Sequence, residues 1–122
     1  MTWKCRGIRG ATTADDNTKE AVISATKELF TKLIELNDVD QDEVAAVILT
    51  TTKDLDAAFP ALAARQMGWN NAALLCGNEM NVPDSLKSCI RILIFVNTEK
   101  GPSDIHFVYI KGAKNLRTED IN

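Results

Sequence analysis

The spacing of hydrophobic residues along the chain predicts one long helix. From an N-cap at Asn17, supported by Glu20 three residues later, apolar side chains recur every three or four residues to about Leu36. This spacing places them on one stripe of a helix, because positions three and four apart lie on the same side. One side of the helix is therefore expected to pack on a core.

Alternating or continuous apolar runs, rich in β-branched residues, predict about five strands. A short helical segment is expected between the second and third strands, within residues 53–69. Pro60 fits its first turn, and Gly68 fits the left-handed position after its end. The predicted strands are Lys4–Thr12 and residues 44–52, 71–77, 89–98 and 105–111.

The strand at residues 89–98 is apolar on both faces. Ile92 and Ile94 alternate along it with Leu93 and Phe95. One amphipathic helix covers one face of a sheet, and the chain offers no second long helix for the other face. The uncovered face is therefore expected to be buried against other copies of the chain, which predicts a homo-oligomer.

Length and composition narrow the class of protein. The 122 residues fit one domain, 1–122, whose polar residues from about 112 onward suggest a mobile tail. No apolar run is long enough for a membrane span, and the N-terminus has no secretory signal, so a cytoplasmic location is expected. The net charge of −3 argues against a nucleic-acid or membrane surface. Three cysteines and one histidine form no metal-binding spacing, so no metal is expected.

Arg91 is the sharpest chemical signal, because its permanent charge lies inside the most apolar strand. Burying an isolated charge costs several kcal/mol, so Arg91 requires a partner. One interpretation is a structural ion pair, with Glu79 as a candidate acid. The alternative is that Arg91 faces a cleft that accepts an anion. Four of the five arginines lie in or beside apolar or glycine-rich runs, which favours a small anionic ligand.

Other candidate residues are ambiguous when taken singly. Arg9 shares one face of the first strand with Gly7, and Tyr109 alternates with Phe107 in a pattern that also suits core packing. Phe59 and Arg65 could be packing residues of the short helix, and Cys76 could be an inert core thiol. Residue types alone leave these alternatives open.

Taken together, these segments resemble the monofunctional, trimeric α/β class of chorismate mutase, as distinct from the all-helical class. The resemblance runs through "RGIRGATT", "DLDAAFPALAARQMGW", "CGNEM", "LKSCIRI" and "HFVYIKGAKNLR", in this order and at compatible spacing. It implies an α+β fold in which a mixed five-stranded sheet packs on one long helix. It also implies a homotrimer in which three sheets form a barrel-like core, with a site at each subunit interface.

The resemblance implies specific roles for three catalytic residues and their neighbours. Arg9 and Tyr109 would hold the enolpyruvyl carboxylate of chorismate, and Arg91 would bind that carboxylate and reach the ether oxygen. Glu79 and the region of Cys76 would accept or donate hydrogen bonds at the ring hydroxyl. Conversion of chorismate to prephenate, an isomerase reaction of tyrosine and phenylalanine biosynthesis, is an intramolecular [3,3] rearrangement, so the resemblance implies no cofactor and no metal.

The same resemblance implies a neighbouring wall and a closing tail. Two positions depart from the family pattern: Leu62, where family members can carry lysine, and Leu75, where threonine is common. These departures bear on substrate affinity rather than on the reaction. The implied wall residues are Phe59, Ala61, Arg65 and Leu74, and the implied tail residues that close over the mouth are Leu116 and Arg117.

Two other functions remain open from the sequence. One is a trimeric ligand-binding protein of the same architecture, and the other is a trimeric imine or enamine deaminase of related shape. The joint presence of Arg9, Glu79 and Arg91 favours the mutase, because a module that only binds an anion has less need of an acid that repels it.

Overall fold

The computed structural model describes residues 2–116 and contains a five-stranded sheet and two α-helices. The sheet order is β3-β2-β4-β1-β5. β4 is antiparallel to β1 and β2, whereas β2–β3 and β1–β5 are parallel pairs, so the sheet is mixed as predicted. The elements are β1 (Lys4–Thr13), α1 (Lys19–Asn37), β2 (Val44–Thr51), α2 (Ala61–Gln66), β3 (Ala73–Asn78), β4 (Cys89–Thr98) and β5 (Val108–Tyr109).

The long helix begins one residue later than predicted. Thr18 is the N-cap of α1, and its hydroxyl accepts a hydrogen bond from the Ala21 amide at 3.1 Å. Asn17 was the wrong choice of cap, because its side chain is engaged elsewhere. Its amide oxygen accepts from the backbone amides of Asp56 and Ala57, which fastens the loop after β2 to the start of α1.

The core lies between α1 and one face of the sheet. Ile8, Val47, Leu49 and Ile94 project from three strands toward the helix and are almost fully buried. Burial of side chains of this size contributes about 1.5–3 kcal/mol each to folding. Phe30 of α1 contacts the Trp69 ring that follows α2, with ring centroids 4.7 Å apart. This packing fixes the strands whose other face carries the candidate site.

The other face of the sheet is less covered in the single chain. Leu93 and Phe95 on β4 are only partly buried, and Leu75 on β3 is 65% exposed. The prediction of an apolar second sheet face is therefore confirmed, and the oligomer that would bury it stays a prediction. We call this surface the open face.

The last strand is much shorter than the predicted 105–111. Asn37 at the end of α1 explains the difference, because its side chain forms hydrogen bonds with both backbone groups of His106 and leaves neither for strand pairing. The Asn37 amide nitrogen donates to the His106 carbonyl at 2.8 Å, and the His106 amide donates to Asn37 Oδ1 at 2.7 Å. The chain therefore joins β1 only at Val108–Tyr109. Within residues 2–116, no helix is long and apolar enough to cross a membrane.

Candidate active site

Two arginines share the open face because of the strand register. Ala11 of β1 and Thr50 of β2 both lie opposite Arg91 on β4, and Arg9 lies opposite Leu93. Residues opposite each other in an antiparallel pair point to the same side of a sheet. Arg9 and Arg91 therefore project from neighbouring strands on the side away from α1.

Glu79 is the ion-pair partner of Arg91. Its Oε2 lies 3.0 Å from Arg91 Nε, and the two side chains are 23% and 29% exposed. The hydroxyl of Thr50 donates to Oε1 of the same carboxylate at 2.9 Å. The predicted pairing is confirmed. It does not replace the anion-binding interpretation, because both side chains also line a cavity.

This cavity, which we call the arginine cavity, has a volume of about 190 Å³ on the open face. Arg9, Thr50, Glu79, Arg91 and Tyr109 supply its polar lining. A wall with two guanidinium groups and one carboxylate suits a small anion that also carries a hydroxyl group. Ile48 and Leu93 supply the apolar side chains of the lining.

Tyr109 reaches the arginine cavity from the short strand β5. Its hydroxyl oxygen is buried, and no group within residues 2–116 forms a hydrogen bond with it. Leaving a buried polar group without a partner costs about 1–3 kcal/mol. Beside it, the guanidinium of Arg9 lies 5.8 Å from the centre of the Phe107 ring, within range of a cation–π interaction. The ring of Tyr109 packs against the buried cluster of Ala11, Cys89, Ala113 and Leu116, so the core packing that the sequence left open is confirmed for the ring, while the unsatisfied hydroxyl leaves a donor for a ligand.

Leu116 packs close to the same site instead of extending from it. It is buried with Ala11, Cys89 and Ala113, and it lines a second cavity of about 290 Å³ next to Arg91 and Glu79. The sequence analysis predicted a polar, mobile tail from about residue 112, but Ala113 and Leu116 in this segment are apolar and buried. Ala113 and Leu116 supply apolar surface three positions apart, on one turn of chain. Arg117 lies outside the described residues.

The predicted wall residues lie apart from the arginine cavity. Leu74 of that wall is level with Val47 of β2, whose side chain points toward α1. Cys76, which was predicted beside Glu79 at the ring hydroxyl, is level with Leu49 of β2, whose side chain points the same way. They therefore lie on the opposite side of the sheet from Arg91 and cannot line the same cavity within one chain. The remaining wall residues lie at or near α2: Ala61 is buried, Arg65 is exposed and Phe59 is 74% exposed.

A cavity of about 450 Å³ lies beside these wall residues. Phe59, Pro60 and Cys76 contribute to its lining. The structure thus divides the predicted site into two groups, one around Arg91 and one around Phe59. Two residues were expected to depart from the family pattern. Leu62 is half-buried on α2, and Leu75 projects from β3 on the open face.

Cys89 is the first residue of β4, two positions before Arg91. Burial raises the pKa of its thiol above the ordinary value of 9.0, and the nearby Arg91 charge opposes that shift only in part. The thiol is therefore neutral at physiological pH. Its role is packing against Ala11 and Leu116 rather than nucleophilic chemistry.

Sequence reasoning missed the carboxylate that fastens the end of β2 to the start of β4. Asp54 Oδ1 accepts from the Thr52 hydroxyl at 2.5 Å, and Oδ2 accepts from the Ser88 amide at 2.9 Å. These hydrogen bonds, with that from Thr52 the strongest, hold the pKa of Asp54 below 3.8. The "TKD" spacing is a common local turn pattern, and the distant partner Ser88 left no signal in the sequence.

Asp54→Asn is expected to lower the free energy of unfolding at neutral pH by less than about 1 kcal/mol, since the carboxylate is largely exposed. A carboxylate whose pKa is lowered by folding stabilises the folded state, and this stabilisation is fully present above its pKa in the unfolded state, about 3.8. The stabilisation is lost as pH falls through the lower pKa of the folded state. The difference in Tm between the wild type and the variant should therefore be constant above pH 5 and narrow below about pH 4. Asp42→Asn, at another exposed turn, is the control, and a gap that widens on acidification would contradict the assignment.

Fold and site together define an α+β protein whose sheet carries a cavity suited to a small anion. The profile of the family described as "Chorismate mutase type I" matches residues 5–120. The chain therefore belongs to the type I chorismate mutase family.

Individual relatives agree with this assignment. The chain is 45% identical to "Chorismate mutase AroH" of Thermus thermophilus, over 93% of this chain and 94% of that protein. It is 40% identical to "Chorismate mutase AroH" of Bacillus subtilis (strain 168), over 93% and 91% of the two chains. The solved structure "Chorismate mutase from Clostridium thermocellum Cth-682" superposes with a TM-score of 0.88 at 50% identity, covering 89% of this chain and 97% of that one.

Proposed function

We propose that this chain is an isomerase that converts chorismate to prephenate at the arginine cavity. The observation that carries the proposal is the convergence of Arg9, Glu79, Arg91 and Tyr109 on one cavity of the open face. Membership of the chorismate mutase family supplies the reaction, which belongs to aromatic amino acid biosynthesis. The roles of the individual residues follow from their positions and chemistry.

Arg91 acts on the bond that breaks. The rearrangement cleaves a C–O bond and forms a C–C bond within one molecule, so no proton or external group is transferred. Negative charge grows on the ether oxygen as the C–O bond lengthens. A fixed guanidinium beside that oxygen stabilises the transition state more than the substrate, which is the requirement for catalysis. The apolar strand around Arg91 keeps the guanidinium rigid and the local dielectric low.

Arg9 and Tyr109 bind and orient the substrate. Arg9 provides a planar pair of donors that matches a carboxylate, and the Tyr109 hydroxyl gains the partner it lacks among residues 2–116. Holding the carboxylate at this end selects the compact conformer in which the two bonding carbons meet. Glu79 accepts a hydrogen bond from the ring hydroxyl, and it acts as an acceptor rather than as a general base.

The second wall of the site comes from another subunit in this proposal. Phe59 and Cys76 line a cavity separate from that of Arg91, and Cys76 lies on the α1 side of the sheet. The open face with Leu75, Leu93 and Phe95 is available for contact with other copies. We therefore propose a homotrimer in which the open faces form the barrel-like core. Each site would join the arginine cavity of one subunit to the Phe59 group of its neighbour. The cytoplasmic location expected from the sequence stays a prediction.

The proposal is tested by an assay of chorismate consumption with prephenate confirmed as product, followed by complementation between two variants. Arg91→Ala disables the arginine cavity, and Phe59→Asp places a negative charge against the anionic substrate. Each variant alone should be nearly inactive. Refolding them together in equal amounts should restore roughly a quarter of wild-type sites, because each mixed cyclic trimer contains one interface with both intact halves.

The outcomes separate the parts of the proposal. No recovery in mixed trimers, shown to be mixed by mass spectrometry, would contradict sites shared between subunits. A folded wild type that leaves chorismate unchanged would contradict the catalytic function and favour a ligand-binding role. Release of ammonia from imine or enamine substrates would instead support a deaminase.

A further inference from the structure

We infer that Thr50 is a positioning residue that holds Glu79 in its working orientation. Thr50 lies near the end of β2, opposite Arg91 on β4 and level with Gly77 on β3. This register points its side chain to the open face, where it joins the lining of the arginine cavity. Its hydroxyl donates to Glu79 Oε1 at 2.9 Å, so it contacts the acid rather than only the space where substrate would bind.

Glu79 is held at three places. Its backbone amide donates to the Thr51 carbonyl at 2.9 Å, which continues the β2–β3 pairing by one residue. Oε2 lies 3.0 Å from Arg91 Nε, and Oε1 receives the Thr50 hydroxyl. The backbone contact fixes where the side chain starts, and the two oxygen contacts fix the plane of the carboxylate.

The Thr50 contact matters because a carboxylate rotates easily about its last bond, where energy wells are broad. Without a donor on Oε1, rotation would let both oxygens approach the Arg91 guanidinium. Arginine and carboxylate groups favour such two-point pairing. The closer pair would draw Arg91 toward Glu79 and turn the carboxylate away from the substrate.

The consequence for the reaction rests on the proposed function. Glu79 would no longer face the ring hydroxyl, and Arg91 would no longer face the ether oxygen. Threonine suits this task, because its branched β-carbon restricts the rotamers of the hydroxyl. Serine provides the same donor with less restriction, whereas valine keeps the shape and removes the donor.

Thr50→Val is expected to lower kcat for chorismate by roughly tenfold to a hundredfold, the range for loss of a hydrogen bond to a charged group. KM should change less, because Arg9 and Tyr109 still hold the carboxylate end. Thr50→Ser should recover kcat to within about threefold of the wild type. Thr98→Val, at the far end of β4, removes a strand hydroxyl outside the cavity and should leave kcat unchanged.

A double-mutant cycle separates positioning from a general loss of structure. In the Glu79→Ala background, Thr50→Val should lower kcat by less than about twofold, because the group it positions is gone. Equal losses in both backgrounds, or wild-type kcat in Thr50→Val alone, would overturn the inference. A crystal structure of Thr50→Val gives a readout that does not depend on turnover: an unchanged Glu79 carboxylate would also overturn it. Failure of the proposed function appears separately, as a wild type that does not convert chorismate.

Discussion

Arg91→Ala is expected to lower kcat/KM for chorismate by at least several hundredfold, with most of the loss in kcat. Removal of one preorganised donor to a developing negative charge typically costs about 2.7–4 kcal/mol. Two features of this site raise the expected cost. Arg91 carries a full charge among apolar residues, and its removal leaves the Glu79 carboxylate facing an anionic substrate. The measurement is steady-state kinetics on chorismate with the Tm of each protein determined in parallel.

Two further variants show whether the loss of activity comes from the charge and donor geometry of Arg91. Arg91→Lys keeps the charge but loses the planar pair of donors, so a partial defect is expected. Arg6→Ala removes another half-buried arginine, whose Nε donates to the Lys100 carbonyl at 3.1 Å away from the cavity. That control should retain kcat/KM within about twofold, the range of surface substitutions away from special features. Comparable kcat/KM for the wild type, Arg91→Lys and Arg91→Ala would rule out the proposed role of Arg91.

The sequence was most informative where local chemistry determines structure. The apolar spacing of α1 and the pairing of Pro60 with Gly68 around α2 were predicted correctly, because both depend on residues within a few positions. Glu79 was also named as a candidate partner of Arg91, since a charge in an apolar strand demands a partner, although the arginine distribution favoured an anion-binding cleft. The role of Asn37 in shortening β5 could not be predicted from nearby residues. Its contact with His106 spans 69 residues, and nothing near either residue indicates it.

The division of the site residues into one group around Arg91 and another around Phe59 could not be predicted from strand alternation either. Strand alternation assigns Leu74 and Cys76 to the same side of β3, but only the register with β2 shows that this side faces α1. The motif similarity named residues of both groups together, since a motif carries no information about which side of the sheet presents each residue. Thr50 was missed because a threonine at the end of a strand is ordinary. Its significance depends on Glu79, 29 positions away.

Gly10→Ala is expected to destabilise the fold by about 3 kcal/mol or more, at the upper end of the range for overpacked cores. A β-carbon at position 10 would lie 2.4 Å from the Val108 carbonyl oxygen and 3.1 Å from Leu29 Cδ1. The leucine end can adjust, but the carbonyl belongs to the backbone of β5, which pairs with β1 at this residue. Relief of the clash therefore requires β5 to move away.

Movement of β5 would reach the site through Tyr109, the next residue along. We expect Gly10→Ala to lower Tm by roughly ten degrees at fixed protein concentration. KM should also rise, because the Tyr109 hydroxyl leaves the arginine cavity. Gly101→Ala, in the loop after β4, is the control, since its β-carbon would meet only Asp104 Oδ2 at the ordinary distance of 3.8 Å. Wild-type Tm and KM in Gly10→Ala would contradict the close packing of β1 on β5. A lowered Tm with unchanged KM would instead show that Tyr109 does not contribute to substrate binding.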